Sequence, residues 1–215
     1  MIVVTNASHS VPKNGRRHWI LKNQSLVIGD RERIGIFAAY GSGKTILARL
    51  FSGSDQPDFG TVKHSRSTSW PIGTAGIIHQ DLTLAENLDV TLRLATAMRP
   101  LALKRFNRLF GGEVPLREKA KEMSPSQRAL FAYALSMMVP QQHYIFDEKV
   151  TTGHSSQRVK QDAFLSDELR TKGMVLFSSN TRTLSKYCYR FFRLEEAKLI
   201  ETSHMSLTME GLGHV

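Results

Sequence analysis

Two short stretches carry side chains suited to chemistry: Gly41-Ser42-Gly43-Lys44-Thr45 and Asp147-Glu148. The first suits anion capture. Gly41 and Gly43 lack a Cβ, so the backbone can curl with its N–H groups turned inward onto phosphate oxygens. Lys44 adds a point charge near terminal phosphates, and the Thr45 hydroxyl is a hard oxygen ligand suited to magnesium. The whole run Ala38-Ala39-Tyr40-Gly41-Ser42-Gly43-Lys44-Thr45, continued by Ile46, has the spacing of a phosphate-binding loop, except that Ala38 stands where the first glycine belongs. The second stretch supplies carboxylates. Asp147 is expected to hold magnesium through water opposite Thr45, and Glu148 to polarise an attacking water as general base. The plainer alternatives are an ordinary Gly-Ser-Gly-Lys turn and a surface acidic pair.

Such a loop needs a strand before it and a helix after it, so that backbone donors and the positive helix end converge on one anion. Ile34-Gly35-Ile36-Phe37 supplies the strand, and Ile46, Leu47, Leu50 and Phe51 the helical pattern, closed near Gly53. Tyr144-Ile145-Phe146 makes an apolar strand ending at Asp147-Glu148, and Met174 to Ser178 another. Helices are expected over roughly 84–110 with an interruption at Pro100, from Pro125 through Met138, over about 155–171, and again up to Arg190. Met1–Val4 reads as a short strand, Ser8–Arg17 as a polar loop, Trp19–Ile28 as strands, and Trp70-Pro71-Ile72-Gly73 as a turn before the apolar Gly76-Ile77-Ile78. Leu194–Ile200 reads as a terminal hairpin. Strands alternating with helices predict an α/β fold with a parallel sheet and an all-helical lobe between core strands. The expected organisation is one domain over 1–200, with the helical subdomain at about 84–140 and a tail at 201–215.

The bounds agree with this. A chain of 215 residues, 41% apolar and 22% charged, can bury one sizeable core. No run approaches the roughly 18 apolar residues of a membrane span, and no signal-peptide pattern is present, so a cytoplasmic site is expected. The single cysteine, Cys188, excludes an internal disulfide and reads as a packing residue. The eight histidines lack metal-ligand spacing. A net charge of +10 fits nucleic acid, an anionic membrane surface or no specific partner. Met123-Ser124-Pro125-Ser126-Gln127 is a strong helix start, with Ser124 as cap, Pro125 in the first turn and Gln127 completing a capping box. It is also an anion site.

Taken together, these stretches resemble the ATP-binding subunits of ABC transporters. Ala38 to Thr45 resembles the Walker A motif, Tyr144 to Glu148 Walker B, and Met123 to Gln127 a degenerate Leu-Ser-Gly-Gly-Gln signature. Leu50 to Gly53 and Pro57 to Val62 are similar to the family's segment after Walker A. Ser69 to Gly73, Leu82-Thr83, Glu86-Asn87, Lys149 to Gly153 and Phe177 to Asn180 resemble the exporters of capsular polysaccharide, with O-antigen and teichoic-acid exporters as close relatives.

The resemblance covers about residues 2–200. It implies an α/β fold of P-loop NTPase (RecA-like) core with a mostly parallel sheet, an N-terminal antiparallel β part and an inserted α-helical subdomain, and ATP and Mg2+ as cofactors. Ala38 to Ile46 would bind nucleotide, and Ser124, Ser126 and Gln127 would reach the nucleotide of a second ATP-binding subunit. Glu148, Gln80 and Ser179 fall at catalytic positions, and Thr45, Asp147 and Gln80 at the metal. It also implies a homodimer or heterodimer, an integral membrane permease, a peripheral place on the cytoplasmic face of the bacterial inner membrane, and no nucleic acid. Departures are specific. Pro125 and Ser126 replace two glycines of the signature, Ser179 falls at the switch histidine, and His154 at an aspartate. His79 competes with Gln80 for the coupling position, and His9, His18 and Trp19 are the candidates to stack adenine. The implied activity is ATP hydrolysis driving polysaccharide export, the alternative being a subunit that binds ATP but hydrolyses it poorly.

Overall fold

The computed structural model describes residues 1–73, 77–111 and 114–203. Their contacts divide into two compact units. One takes Met1–Pro71, Gln141–Glu148 and the chain from Leu169 onward; the other takes Ile72–Pro140 and Lys149–Glu168.

The first unit carries two sheets. In the smaller, β1 (Ile2–Lys13) lies between β2 (Arg16–Ile28) and β4 (Phe59–His64), antiparallel to both. The expected polar loop over Ser8–Arg17 is therefore a long hairpin. Asn14 and Gly15 turn it with φ of 52° and 72°. That left-handed pair matches strand twist in a two-residue turn. Pro12 is tolerated because β4 pairs with β1 only as far as Ser8, leaving that edge of Pro12 without a ladder partner to lose.

The larger sheet has the order β5-β6-β7-β3-β8-β9. Its centre is β3 (Arg33–Phe37), parallel to both β7 (Gly173–Ser178) and β8 (Arg190–Glu195); β6 (His143–Asp147) runs parallel to β7. Strands β6 and β7 are buried at every position, which is why they read as continuous apolar runs. Edge strand β5 (Thr68–Ile72) contains Trp70 and Pro71, where a turn was expected; an edge position accepts the proline. Strand β9 (Lys198–Thr202) returns antiparallel on β8. Helix α1 (Lys44–Ser52) buries Leu47, Leu50 and Phe51, and Phe51 meets Phe177 of β7 edge-on at 5.5 Å. Its C-cap is Gly53 at φ 78°. Helix α6 (Thr181–Tyr187) follows β7, and Cys188 behind it is buried, which pushes its thiol up to about 12.

The second unit is helical: α2 (Leu84–Leu94), α3 (Arg99–Phe110), α4 (Pro125–Met138) and α5 (Ser155–Glu168). The break expected at Pro100 falls earlier, at Ala95–Met98, because Pro100 suits the first turn of the next helix. Phe106, Phe110 and Phe131 join α3 to α4, with ring centroids 5.6–6.0 Å apart. Arg105 of α3 pairs with Glu168 of α5 at 2.7 Å and donates to the Met137 carbonyl. No helix among the described residues is long and apolar enough to cross a membrane. Gly76, Gly112 and most of the expected tail lie outside the described residues.

Candidate nucleotide site

The first unit gathers the phosphate-loop residues and the acidic pair at the ends of three neighbouring parallel strands. Such strand ends are where α/β sheets place their ligands. The loop leaves β3 at Ala38, whose N–H donates to the Ser178 carbonyl at the end of β7 (3.1 Å). Ala38 is fully buried and outside the left-handed region, so its backbone does not need the glycine expected there. Gly41 and Gly43 do need their freedom, at φ 77° and 96°. Between them Ser42 closes a tight turn: its N–H and its hydroxyl both donate to the Ala39 carbonyl, at 3.2 and 2.6 Å. Gly43 then starts α1 with no side-chain cap, so the helix presents bare N–H groups to whatever anion the loop encloses.

Lys44 bridges the loop and the acidic pair. Its Nζ donates to the Ala38 and Ala39 carbonyls (3.1 and 3.0 Å) and lies 3.4 Å from Glu148 Oε2. Thr45 Oγ1 donates to Asp147 Oδ2 at 2.7 Å. Burial pushes the Asp147 carboxyl above the ordinary aspartate range. The Thr45 hydrogen bond opposes this, the adjacent Glu148 charge adds to it, and Lys44 opposes it without cancelling it.

Glu148 follows β6 in a left-handed conformation, φ 67°, that aims its carboxylate at the end of β7. There it accepts from Ser179 Oγ (2.7 Å), Ser179 N (3.1 Å) and Ser178 Oγ (3.2 Å). Burial alone would raise its pKa. The Ser179 hydroxyl and N–H, the Lys44 charge and the Ser178 hydroxyl outweigh that and hold it below the ordinary glutamate range. Glu148 is thus a carboxylate at neutral pH, the state a general base requires. Ser178 is a contact that motif reading passed over. A signal was available, since Ser178-Ser179 is a polar pair closing a wholly apolar strand.

An open cleft of about 950 Å³ adjoins Tyr40, Gly41 and Ser42. His18 and Trp19 of β2 line it, among Lys13, Arg17 and Lys22, as do Glu196 and Ala197 of the β8–β9 turn. That volume admits a nucleoside. His9, the third expected stacking residue, does not line the cleft; its Nδ1 lies 3.5 Å from Asp58 Oδ1.

The remaining expected residues belong to the second unit. Gln80 is exposed, with its carbonyl accepting from Lys121 N (3.0 Å); the backbone of His79 is tied on both sides to the Asn87 amide. Ser124 and Gln127 form the capping box at the start of α4: Ser124 Oγ accepts from Gln127 N (3.3 Å), and Gln127 Oε1 accepts from Ser124 N (3.2 Å). Ser126 and His154 are exposed.

The donor set at Thr45 and Asp147, a hydroxyl and a carboxylate, fits a hard divalent cation. No cluster of three or more His, Cys, Asp or Glu exists among the described residues, so such an ion would complete its shell with phosphate oxygens and water.

A strand–loop–helix anion cradle facing a paired carboxylate at the ends of parallel strands defines a P-loop nucleotide-binding protein. Residues 21–151 match the family described as ABC transporter, and the chain belongs to that family. It is 32% identical over 190 residues to the ATP-binding protein BexA of Haemophilus influenzae, covering 87% of each chain. It is 29% identical to the polysialic acid transport ATP-binding protein KpsT of Escherichia coli, with 87% of each covered. It is 30% identical to the capsule polysaccharide export ATP-binding protein CtrD of Neisseria meningitidis serogroup B, covering 88% of this chain and 86% of that one. Among solved structures, the dimeric bacterial ABC transporter cassette MJ0796 superposes with a TM-score of 0.79 at 18% identity over 95% of this chain and 99% of that one, a likeness of fold.

Proposed function

We propose that this chain is the ATP-hydrolysing subunit of an exporter that moves capsular or a related surface polysaccharide across a bacterial inner membrane. The observation that carries the reading is the constellation of Lys44, Thr45, Asp147 and Glu148 within one site: Thr45 is bonded to Asp147, and Lys44 lies 3.4 Å from Glu148. The similarity to capsule-export proteins supplies the cargo class.

In this reading the N–H groups from Gly41 to Ile46 and the Lys44 ammonium bind the phosphates. Thr45 and Asp147 would hold Mg2+, and the ion would supply charge neutralisation at the phosphates. Glu148 accepts a proton from the attacking water. Ser179, occupying the switch position, orients the Glu148 carboxylate through its hydroxyl and N–H. Ser124, Ser126 and Gln127 at the start of α4 meet the nucleotide of a second ATP-binding subunit. A membrane permease takes up the resulting motion, and the chain lies peripherally on the cytoplasmic face.

The test is ATP turnover of the wild type beside Glu148→Gln, with ATP binding recorded in parallel. The reading expects binding to persist and turnover to fall by at least about 10²-fold. Binding without turnover in either protein, with the permease present, would sink the motor assignment. Loss of surface polysaccharide on deletion of the gene, restored by wild type and not by Glu148→Gln, tests the cargo class.

A further inference from the structure

Of the large apolar side chains exposed among the described residues, four sit together where α2 passes into α3: Val90 (54% exposed), Leu94 (72%), Met98 (39%) and Leu101 (46%). Val90 and Leu94 lie one turn apart on α2, Met98 closes the short turn that follows, and Leu101 lies in the first turn of α3. Residues 96–101 are exposed without a break, so the short Thr96–Met98 turn and the first turn of α3 form a projecting corner. The same stretch is strongly one-signed. Between Val90 and Gly111 there are five basic residues and no acidic one. Arg105 is committed internally to Glu168 and the Met137 carbonyl. Arg93, Arg99, Lys104 and Arg108 are exposed. Asp89, one turn earlier, pairs with Arg93 and also lies 3.6 Å from Arg99, so it offsets one charge of the four.

Packing within the unit does not require this composition. The buried side of the two helices is made by Leu84, Thr91, Leu92, Ala102, Phe106 and Leu109, and the exposed apolar residues lie outside it. A solvated helix corner ordinarily carries mixed charges and few large apolar groups. Apolar side chains among an excess of cations, Asp89 offsetting one of them, match an anionic lipid surface: the apolar groups enter the headgroup–acyl boundary while the cations remain at the phosphates.

We propose that the α2–α3 corner is a contact for anionic phospholipid, with Leu94, Met98 and Leu101 as the inserting residues and Arg93, Arg99, Lys104 and Arg108 as the cations at the headgroups. This adds a direct lipid contact to the membrane location proposed above and does not depend on the site hydrolysing ATP. The net charge of +10 thereby acquires a located part, three net positive charges at this corner once Asp89 is counted.

The experiment is co-sedimentation of the full chain with vesicles of phosphatidylcholine alone or of phosphatidylcholine with about a third phosphatidylglycerol, at low and physiological salt. ATP binding is measured on the same samples. Binding is expected to the anionic vesicles, to weaken with salt, and to fall roughly fivefold for each exposed cation neutralised in Arg99→Gln and Lys104→Gln. Leu94→Ser with Leu101→Ser should reduce it further while leaving ATP binding intact. The inference is overturned by absence of vesicle binding, or by equal binding to neutral and anionic vesicles. It is also overturned if Lys13→Gln with Arg17→Gln, in the basic cleft of the first unit, abolishes binding while the corner variants do not. Failure of ATP binding in wild type would instead count against the nucleotide-site reading and leave the vesicle result to stand for itself.

Discussion

Gly41→Ala and Gly43→Ala, two substitutions two residues apart, separate backbone strain from packing. Both glycines sit at positive φ, 77° and 96°. That conformation costs an L-residue roughly 1–2 kcal/mol. Both replacements also regain about 0.4–1 kcal/mol by restricting the unfolded chain. The surroundings differ. A Cβ at Gly41 meets nothing within 4 Å, whereas one at Gly43 stands 2.8 Å from Ile20 Cγ2 and 2.9 Å from Ile20 Cδ1. Ile20 is 3% exposed and part of the core beneath α1, so it cannot swing into solvent. Overpacking of that kind costs about 1–3 kcal/mol more. At about 2–4 °C per kcal/mol for a chain of this size, Gly43→Ala should melt about 2–12 °C below Gly41→Ala. The assay is thermal unfolding without nucleotide, followed by circular dichroism. Introducing Ile20→Ala should reduce the added cost of Gly43→Ala to that of Gly41→Ala, a coupling of about 1–3 kcal/mol. Equal melting temperatures for the two single variants, or strict additivity with Ile20→Ala, would refute the packing argument.

Asp147→Asn tests the burial of the metal-facing carboxylate. Its folded pKa is raised, so ionisation favours the unfolded chain: Asp147 imposes no penalty below the unfolded aspartate pKa, and a growing one as pH rises through that value to the raised folded one. The nucleotide-free variant should therefore melt a few degrees higher than wild type at pH 7 and the same at pH 3, while its magnesium requirement for ATP binding increases. A lower melting temperature at pH 7 would contradict this. In the helical unit, Arg105→Ala removes the 2.7 Å ion pair to Glu168 and both donors to the Met137 carbonyl. It should lower stability by about 3–5 kcal/mol in urea titrations. A loss below about 1 kcal/mol would show that water satisfies both groups.

Local chemistry was legible in the sequence wherever neighbouring residues suffice to produce it. Glycines at the turn, a lysine and a hydroxyl opening a helix, and an apolar strand ending in two carboxylates specify an anion site within one stretch or at a strand end. The Ser124–Gln127 capping box and the Gly53 cap are of the same kind, and both form. The long β1–β2 hairpin was missed although Asn14-Gly15 announces it, because the polar residues of Ser8–Arg17 looked like loop. An exposed two-sided strand has little apolar alternation to reveal it. Strand β5 was missed because a proline was read as a turn, and only position in the sheet distinguishes an edge strand from a turn.

Tertiary structure alone decided the contacts that join distant strands. That Ser178 and Ser179 grip Glu148 depends on β6 and β7 lying side by side in one register, Asp147 opposite Phe177. That Ile20 lies beneath Gly43 depends on β2 passing under α1. The exposure of Val90, Leu94, Met98 and Leu101 depends on which sides of α2 and α3 are buried within the unit. The amino-acid sequence determined what each segment can bind. The register of the sheet and the packing of the helices determined which of those groups face one another and which face outward, because neither is specified within the few residues where a motif is read.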